Sequence, residues 1–257
     1  MAVTGLQTDV HGARGSVDVL GVRVHTYSTR QAVEQVLLWV QEKTRRMVIT
    51  AGPEFIMMTQ TDLQLHRIAD DADLVTPDGI GVVWAVRRQG HAMPGRVTGI
   101  ELADALLTTA EDRNQRLRVF LLGARQQALG QALRVLQERH PGIIFAGRNG
   151  YFTAEEEGDV LQQVTEFAPD LWLVGLGQPQ QERFMYRVLK GIPSCVAIGV
   201  GGSIDVWGGT VKRAPQWVRR ANLEWLYRLV RQPSRWRRQL ALPRFAWKVL
   251  RTPGNLR

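Results

Sequence analysis

Six consecutive residues carry the strongest chemical signal in this chain: Thr76-Pro77-Asp78-Gly79-Ile80-Gly81. They leave a short apolar strand, Leu74-Val75, and enter a helical pattern, Val82-Val83-Trp84-Ala85-Val86. Proline sets the turn, and Gly79 lets the backbone pass close to a ligand. Asp78 is thereby expected at the carboxyl end of a strand and the amino end of a helix, the edge where open α/β sheets bind ligands. Two readings fit a carboxylate there. It can act on a bound substrate, or it can simply cap the helix.

Other strand ends repeat the pattern of glycine with polar groups: Thr50 to Glu54, Gly123-Ala124-Arg125, Gly175-Leu176-Gly177 and Gly199 to Ser203. Backbone amides at such turns can cradle phosphate. Each is weak alone, but five on successive strands suggest a nucleotide or sugar-nucleotide cleft. No dinucleotide cofactor is indicated, because Gln180 stands where the third glycine of that fingerprint would be. Asp71-Ala72-Asp73 has the two-aspartate form that some sugar transferases use for a metal. It precedes a strand, which puts it on the far edge of the sheet, and no metal site is assigned to it. The five histidines are scattered, without the spacing of a zinc site.

The elements that must hold these turns follow from periodicity. Strand-like runs at Met47–Thr50, Leu74–Val75, Arg118–Leu122, Ile143–Ala146, Leu171–Leu176 and Val196–Val200 alternate with helical stretches of roughly ten to fifteen residues. That alternation predicts an α/β fold, a mostly parallel sheet with helices on both faces. Val17 to Tyr27 reads as a strand pair or one bent strand. Ser28 with Gln31 reads as a capping box, and Thr153 reads as the cap of a helix with Glu155, Glu156 and Glu157 in its first turn. Residues 1–15 read as a disordered leader, 16–211 as the α/β body and 212–257 as an appendage.

Charge separates body from appendage. The chain of 257 residues carries a net +9. Residues 212 to 257 hold thirteen Lys/Arg against one acid, Glu224, a net of +12, so the first 211 residues carry −3. A basic tail points to an anionic partner: nucleic acid, phospholipid or a phosphorylated substrate. Prolines 215, 233, 243 and 253 divide the tail into helical segments at 216–231, 234–242 and 244–252, with Trp217, Trp225, Trp236 and Trp247 among the arginines. This make-up suits a membrane interface, and it equally suits a terminal helix hairpin with a solvated face. No apolar run is long enough to span a bilayer and no signal peptide is evident. The single cysteine, Cys195, sits in a strand-like run and suits a reducing cytosol.

Taken in order, the motifs resemble the WecG/TagA/CpsF glycosyltransferases of bacteria. They are Thr-Pro-Asp-Gly-Ile-Gly-Val at 76–82, Arg96-Val97-Thr98-Gly99, Phe120-Leu121-Leu122-Gly123, Gly150-Tyr151-Phe152 and Val174 to Glu182. Gly199 to Asp205, Lys212-Arg213-Ala214-Pro215 and Glu224 to Leu229, followed by Pro233 and Arg235, complete the match over roughly residues 17 to 240. The resemblance implies an inverting, metal-independent transfer without a cofactor. The sugar, typically N-acetylmannosamine from its UDP form, passes to a polyprenyl-diphosphate-linked GlcNAc acceptor in cell-surface polysaccharide or teichoic-acid synthesis. By resemblance Asp78 is the base and Thr50 lies near the reacting sugars. Gly79, Arg96, Gly123, Gln181, Glu182, Gly201 and Asp205 fall on motif positions lining the cleft. Arg228, Arg235 and Arg238 match arginines that neutralise the leaving diphosphate.

The implied partners are a UDP-sugar donor, the lipid-linked acceptor and an anionic membrane surface, at the cytoplasmic face of the cell membrane. A homo-oligomer is left open, and a nucleic-acid partner is disfavoured by the row of glycine and acid turns. The same family with another donor, such as UDP-glucose, is the alternative. Two positions depart from the usual pattern: Gly52 replaces an asparagine, and Gln178 replaces the alanine of Gly-Ala-Pro. The first removes an amide that could touch donor or acceptor, which bears on sugar identity more than on reaction type.

Overall fold

The structure, a computed structural model, describes residues 15–221, 223–231, 233 and 236–252, apart from the side chains of Arg228 and Arg237. Ser16–Val19 (β1) and Val22–His25 (β2) form an antiparallel hairpin whose turn is held by Gly21 N–H donating to the Asp18 carboxylate. Six further strands make one parallel sheet: Arg45–Ala51 (β3), Leu74–Pro77 (β4), Arg118–Gly123 (β5), Ile144–Arg148 (β6), Leu171–Gly175 (β7) and Cys195–Gly199 (β8). Their order is β4-β3-β8-β7-β5-β6. Helices cover both faces, which is why the central strands read as unbroken apolar runs.

The helices are Thr29–Gln41 (α1), Pro53–Thr59 (α2), Leu63–Asp70 (α3), Ile80–Arg88 (α4), Gly99–Asp112 (α5), Gln126–Arg139 (α6), Glu157–Phe167 (α7), Gln180–Val188 (α8) and Ser203–Trp207 (α9). Gln216–Arg220 (α10), Glu224–Arg231 (α11), Trp236–Gln239 (α12) and Ala241–Arg251 (α13) follow in the appendage. One core lies between the sheet and α1, α5, α6 and α9. The other lies between the sheet, the hairpin and α2, α3, α4, α7, α8 and α13.

Local chemistry explains most boundaries. The Ser28–Gln31 capping box starts α1 as expected. Thr153 does not cap α7, however. Its backbone N–H donates to the Glu156 carboxylate in a turn, and the helix begins only at Glu157. The segment predicted at 216–231 divides into α10 and α11. Pro243, expected to separate two helices, lies in the first turn of α13, where no intrahelical N–H is needed and proline is tolerated.

The hairpin covers the outer edge of β4. Val75 N–H, which would otherwise face an unpaired edge, donates to His25 Nδ1 at 3.1 Å. Burial, and secondarily the neighbouring Arg23 charge, lowers the His25 pKa to about 4, so the ring stays neutral at pH 7. An unfolded chain binds this proton near pH 6.5, whereas the fold resists it until about pH 4. The contribution is therefore complete above pH 6.5 and is lost as pH falls toward 4, amounting to about 3 kcal/mol over that window. Urea midpoints of wild type and His25→Gln, followed from pH 7.5 to 4.5, should diverge, with the variant the less acid-sensitive. Parallel curves would remove His25 from the acid response.

Candidate active site

Because all six strands are parallel, every carboxyl end lies on one edge of the sheet. After β3 the chain turns to β4, and after β8 it turns the other way, α9 packing against α6. Connections that leave in opposite directions open a crevice at the strand ends, the usual ligand position in such sheets.

Asp78 stands at this edge on the first residue past β4. The β3–β4 register pairs Thr50 with Thr76 and Ala51 with Pro77, and Asp78 N–H extends the ladder by donating to Ala51 carbonyl at 2.8 Å. Gly79, at φ +119°, occupies the N-cap position of α4, so Asp78 stands one residue before the cap. A residue with a Cβ would be strained at that φ, so Gly79 permits the abrupt entry into α4. Asp78 is half-buried, its backbone fixed by β3.

Thr50 is buried on β3, with its hydroxyl donating to Gly199 carbonyl at 2.9 Å across to β8. The segment 96–99 is bound alongside: Thr76 hydroxyl donates to Val97 carbonyl at 3.0 Å, and Val97 N–H donates to Pro77 carbonyl at 2.9 Å. The start of α5 is thereby pressed against Val200, leaving no space for a side chain at Gly99. Arg96 lies between two carboxylates, 2.5 Å from Glu224 of α11 and 3.5 Å from Glu101 of α5. Arg213 reaches the same Glu101 at 2.8 Å. This chain of alternating charges fastens the beginning of the appendage beside the Asp78 turn. Reading Arg96 from its motif alone missed Glu101 and Arg213, although Glu224, the tail's single acid, was a visible cue.

The two departures from the family pattern both lie beside the backbone of the β3 and β4 ends. Gln178 carboxamide donates to Thr50 carbonyl at 2.8 Å. At Gly52, an added Cβ would lie 2.9 Å from the Asp78 carbonyl oxygen.

Beyond β8, Gly201 N–H donates to Gln181 Oε1 at 3.0 Å, and Gln181 Nε2 donates to Glu182 Oε1 at 2.8 Å. Gln181 and Glu182, at the start of α8, are both buried below the edge. Burial raises the Glu182 pKa to about 7, against the opposing hydrogen bonds of Gln181, its own backbone and Gln178. Gly123 ends β5 opposite Gly175 of β7, further along the edge. Asp205 lies in the first turn of α9, where its carbonyl accepts Thr210 and Val211 N–H groups and braces the following turn.

Asp78, Thr50, Gly79, Arg96, Gly123, Gln181, Glu182, Gly201 and Asp205 all belong to this edge or to the elements that support it. Arg238 is exposed on α12. Arg235 lies outside the described residues, as does the side chain of Arg228. Asp71 and Asp73 are at the opposite edge. Asp73 accepts from Met47 N–H at 2.8 Å and Arg46 at 2.9 Å, and Asp71 accepts from the Tyr186 hydroxyl at 2.6 Å.

The edge offers a rim carboxylate, backbone amides at glycine turns and a buried acid below them. A protein of Bacillus subtilis (strain 168) named N-acetylglucosaminyldiphosphoundecaprenol N-acetyl-beta-D-mannosaminyltransferase is similar to this chain, 34% identical over 218 residues, or 84% of each sequence. A protein of the same name from Staphylococcus aureus (strain MW2) is 34% identical over 243 residues, or 94% of each. Residues 17–257 match the Glycosyl transferase WecG/TagA/CpsF family. With relatives aligned over most of its length and a carboxylate turn on the ligand-binding edge of its sheet, this chain belongs to the WecG/TagA/CpsF family of glycosyl transferases.

Proposed function

We propose that this enzyme transfers N-acetylmannosamine from UDP-N-acetylmannosamine to a GlcNAc carried on a polyprenyl diphosphate, with inversion at the anomeric carbon. The observation that supports this is Asp78, next after β4 at the carboxyl edge of the sheet, in a chain 34% identical to two enzymes named for that transfer. Asp78 takes the proton from the acceptor hydroxyl as that oxygen attacks the sugar. A general base so positioned contributes roughly 10²–10⁴-fold. Arg228, Arg235 and Arg238 neutralise the charge developing on the departing UDP, since a guanidinium pairs with two phosphate oxygens at once.

The acceptor lies in a membrane, and the appendage brings the enzyme to it. Among the described residues no helix is long and apolar enough to cross a bilayer. Trp217, Trp247 and Val230 are 68%, 52% and 71% exposed, amid a segment of net charge +12. Exposed tryptophan among arginines suits peripheral attachment to an anionic surface.

The decisive test is a transfer assay with a short-chain lipid-diphosphate-GlcNAc over a panel of UDP-sugars, run with and without EDTA. UDP-N-acetylmannosamine should be used best and EDTA should leave turnover intact. Preference for UDP-glucose would assign the Gly52 and Gln178 exchange to a different donor. Loss with EDTA and recovery with magnesium or manganese would show that a metal takes part.

A further inference from the structure

The mechanism leaves Glu182, a buried carboxyl at the strand ends, unused. Glu182 is 0% exposed and its Oε2 has no hydrogen-bond partner among the described residues. It lies at the meeting point of three strand ends. Through Gln181 it reaches Gly201 beyond β8, and Gln181 Nε2 also fills the space that a Cβ at Gly199 would need. Gln178, following β7, acts on the Glu182 carboxyl and holds Thr50 carbonyl of β3. An uncompensated charge in that position is costly, and a second negative charge above it would make it more so.

We propose that Glu182 is a positioning residue of the cleft floor that takes up a proton when a nucleoside diphosphate settles over the Gly199–Gly201 edge, and releases it when the nucleotide leaves. The only bond made is O–H on the Glu182 carboxyl, with the proton drawn from solvent. This rests on the donor being a UDP-sugar, as proposed above. The neutral acid keeps its hydrogen bond from Gln181 while withdrawing a negative charge from beneath the diphosphate.

The surroundings leave Glu182 as the responsive group. What faces it are the amides of Gln181 and Gln178 and its own backbone N–H, and burial holds its pKa near neutrality, at about 7. The other charged groups of α8 are engaged elsewhere: Arg183 with Asp62, the cap of α3, and Arg187 with Glu157 of α7. Tyr186 is bonded to Asp71, and Lys190 of the following turn lies over the Tyr186 ring. On α3, His66 pairs with Asp70. Arg45, Arg46 and Cys195 occupy the amino ends of β3 and β8, away from the cleft. Asp78 and Asp205 are the other acids the edge carries, and the variant below separates any contribution of theirs from that of Glu182.

The test is calorimetry of UDP binding to the full chain at pH 7, in buffers of different ionisation enthalpy, comparing wild type with Glu182→Gln. The amide reproduces the neutral acid without titrating. Wild type should take up about half a proton per UDP more than the variant, because a group with a pKa of about 7 is about half ionised before binding. Above pH 7 wild-type affinity should fall by up to about tenfold per pH unit relative to the variant. At pH 6.5 the two should bind within about threefold of one another.

Equal proton uptake by both proteins overturns the proposal, as does a folded Glu182→Gln protein that fails to bind UDP at pH 6.5. Infrared difference spectra of wild type supply a check that needs no variant: UDP should convert a carboxylate band to a carboxylic C=O band, and no such change at pH 7.5 also overturns it. Absence of UDP binding to either protein at any pH rejects the donor class and this inference together. Binding with unchanged protonation rejects this inference alone.

Discussion

Replacing Asp78 with asparagine should reduce sugar transfer by about 10²-fold or more while leaving UDP affinity close to wild type. The structure makes this substitution informative. The Asp78 backbone is fixed by its bond to Ala51 carbonyl, and Gly79 supplies the turn into α4. Neither depends on the side-chain charge, so asparagine keeps the shape and removes the base. The loss should fall on kcat, because a proton-accepting group acts in the transition state and contributes little to ground-state donor binding. Asp78→Ala should be no more active than Asp78→Asn if proton removal is the whole contribution. Single-turnover transfer with a water-soluble acceptor measures this without membrane effects. Near-normal turnover in a folded Asp78→Asn enzyme would exclude the base role and leave Asp78 a structural residue of the turn.

The turn itself was legible because its information is local. Proline, a glycine forced to positive φ and an apolar strand fall within a few residues, and the Ser28–Gln31 cap is equally self-contained. The alternation of strands and helices likewise predicted a parallel sheet. Strand order was not legible. β8 lies between β3 and β7, and nothing near Cys195 marks that insertion, because crossovers of similar length can reach several positions in a parallel sheet.

For the same reason the Gln178, Gln181 and Glu182 cluster required the fold: its members come from one loop and helix, but their partners Thr50, Gly199 and Gly201 come from two other strand ends. Pro243 shows the opposite error. It was read as a breaker, yet at the start of a helix it is compatible with the backbone. The tail was judged by its charge and tryptophans, although Phe245 and Val249, four residues apart, already marked a stripe that one helix face could bury.

That stripe gives the second large expected effect. Phe245 is 1% exposed and Val249 is 5%, both within the core shared by the hairpin and the sheet. Through them α13 packs on α2 and α4, the helices that follow β3 and β4 and begin beside Asp78. Phe245→Ala should therefore destabilise the protein by about 3–5 kcal/mol, the usual range for emptying a buried aromatic position. It should also lower transfer, because the start of α2 and the Gly79 turn lose their outer support.

Trp217→Ala with Trp247→Ala should do the reverse. Both rings are more than half exposed, so stability and turnover on a water-soluble acceptor should change little while flotation with anionic vesicles weakens. Arg244→Ala, on the exposed side of α13 with Trp247, should cost only about 1 kcal/mol of vesicle binding, since one charge is removed from a strongly basic segment. Urea denaturation, vesicle flotation and soluble-acceptor turnover on the same variants separate the exposed face of α10 and α13 from the core face of α13. If the tryptophan pair loses stability and turnover in the same proportion as Phe245→Ala, α10 and α13 have no separate membrane face and both helices serve the fold.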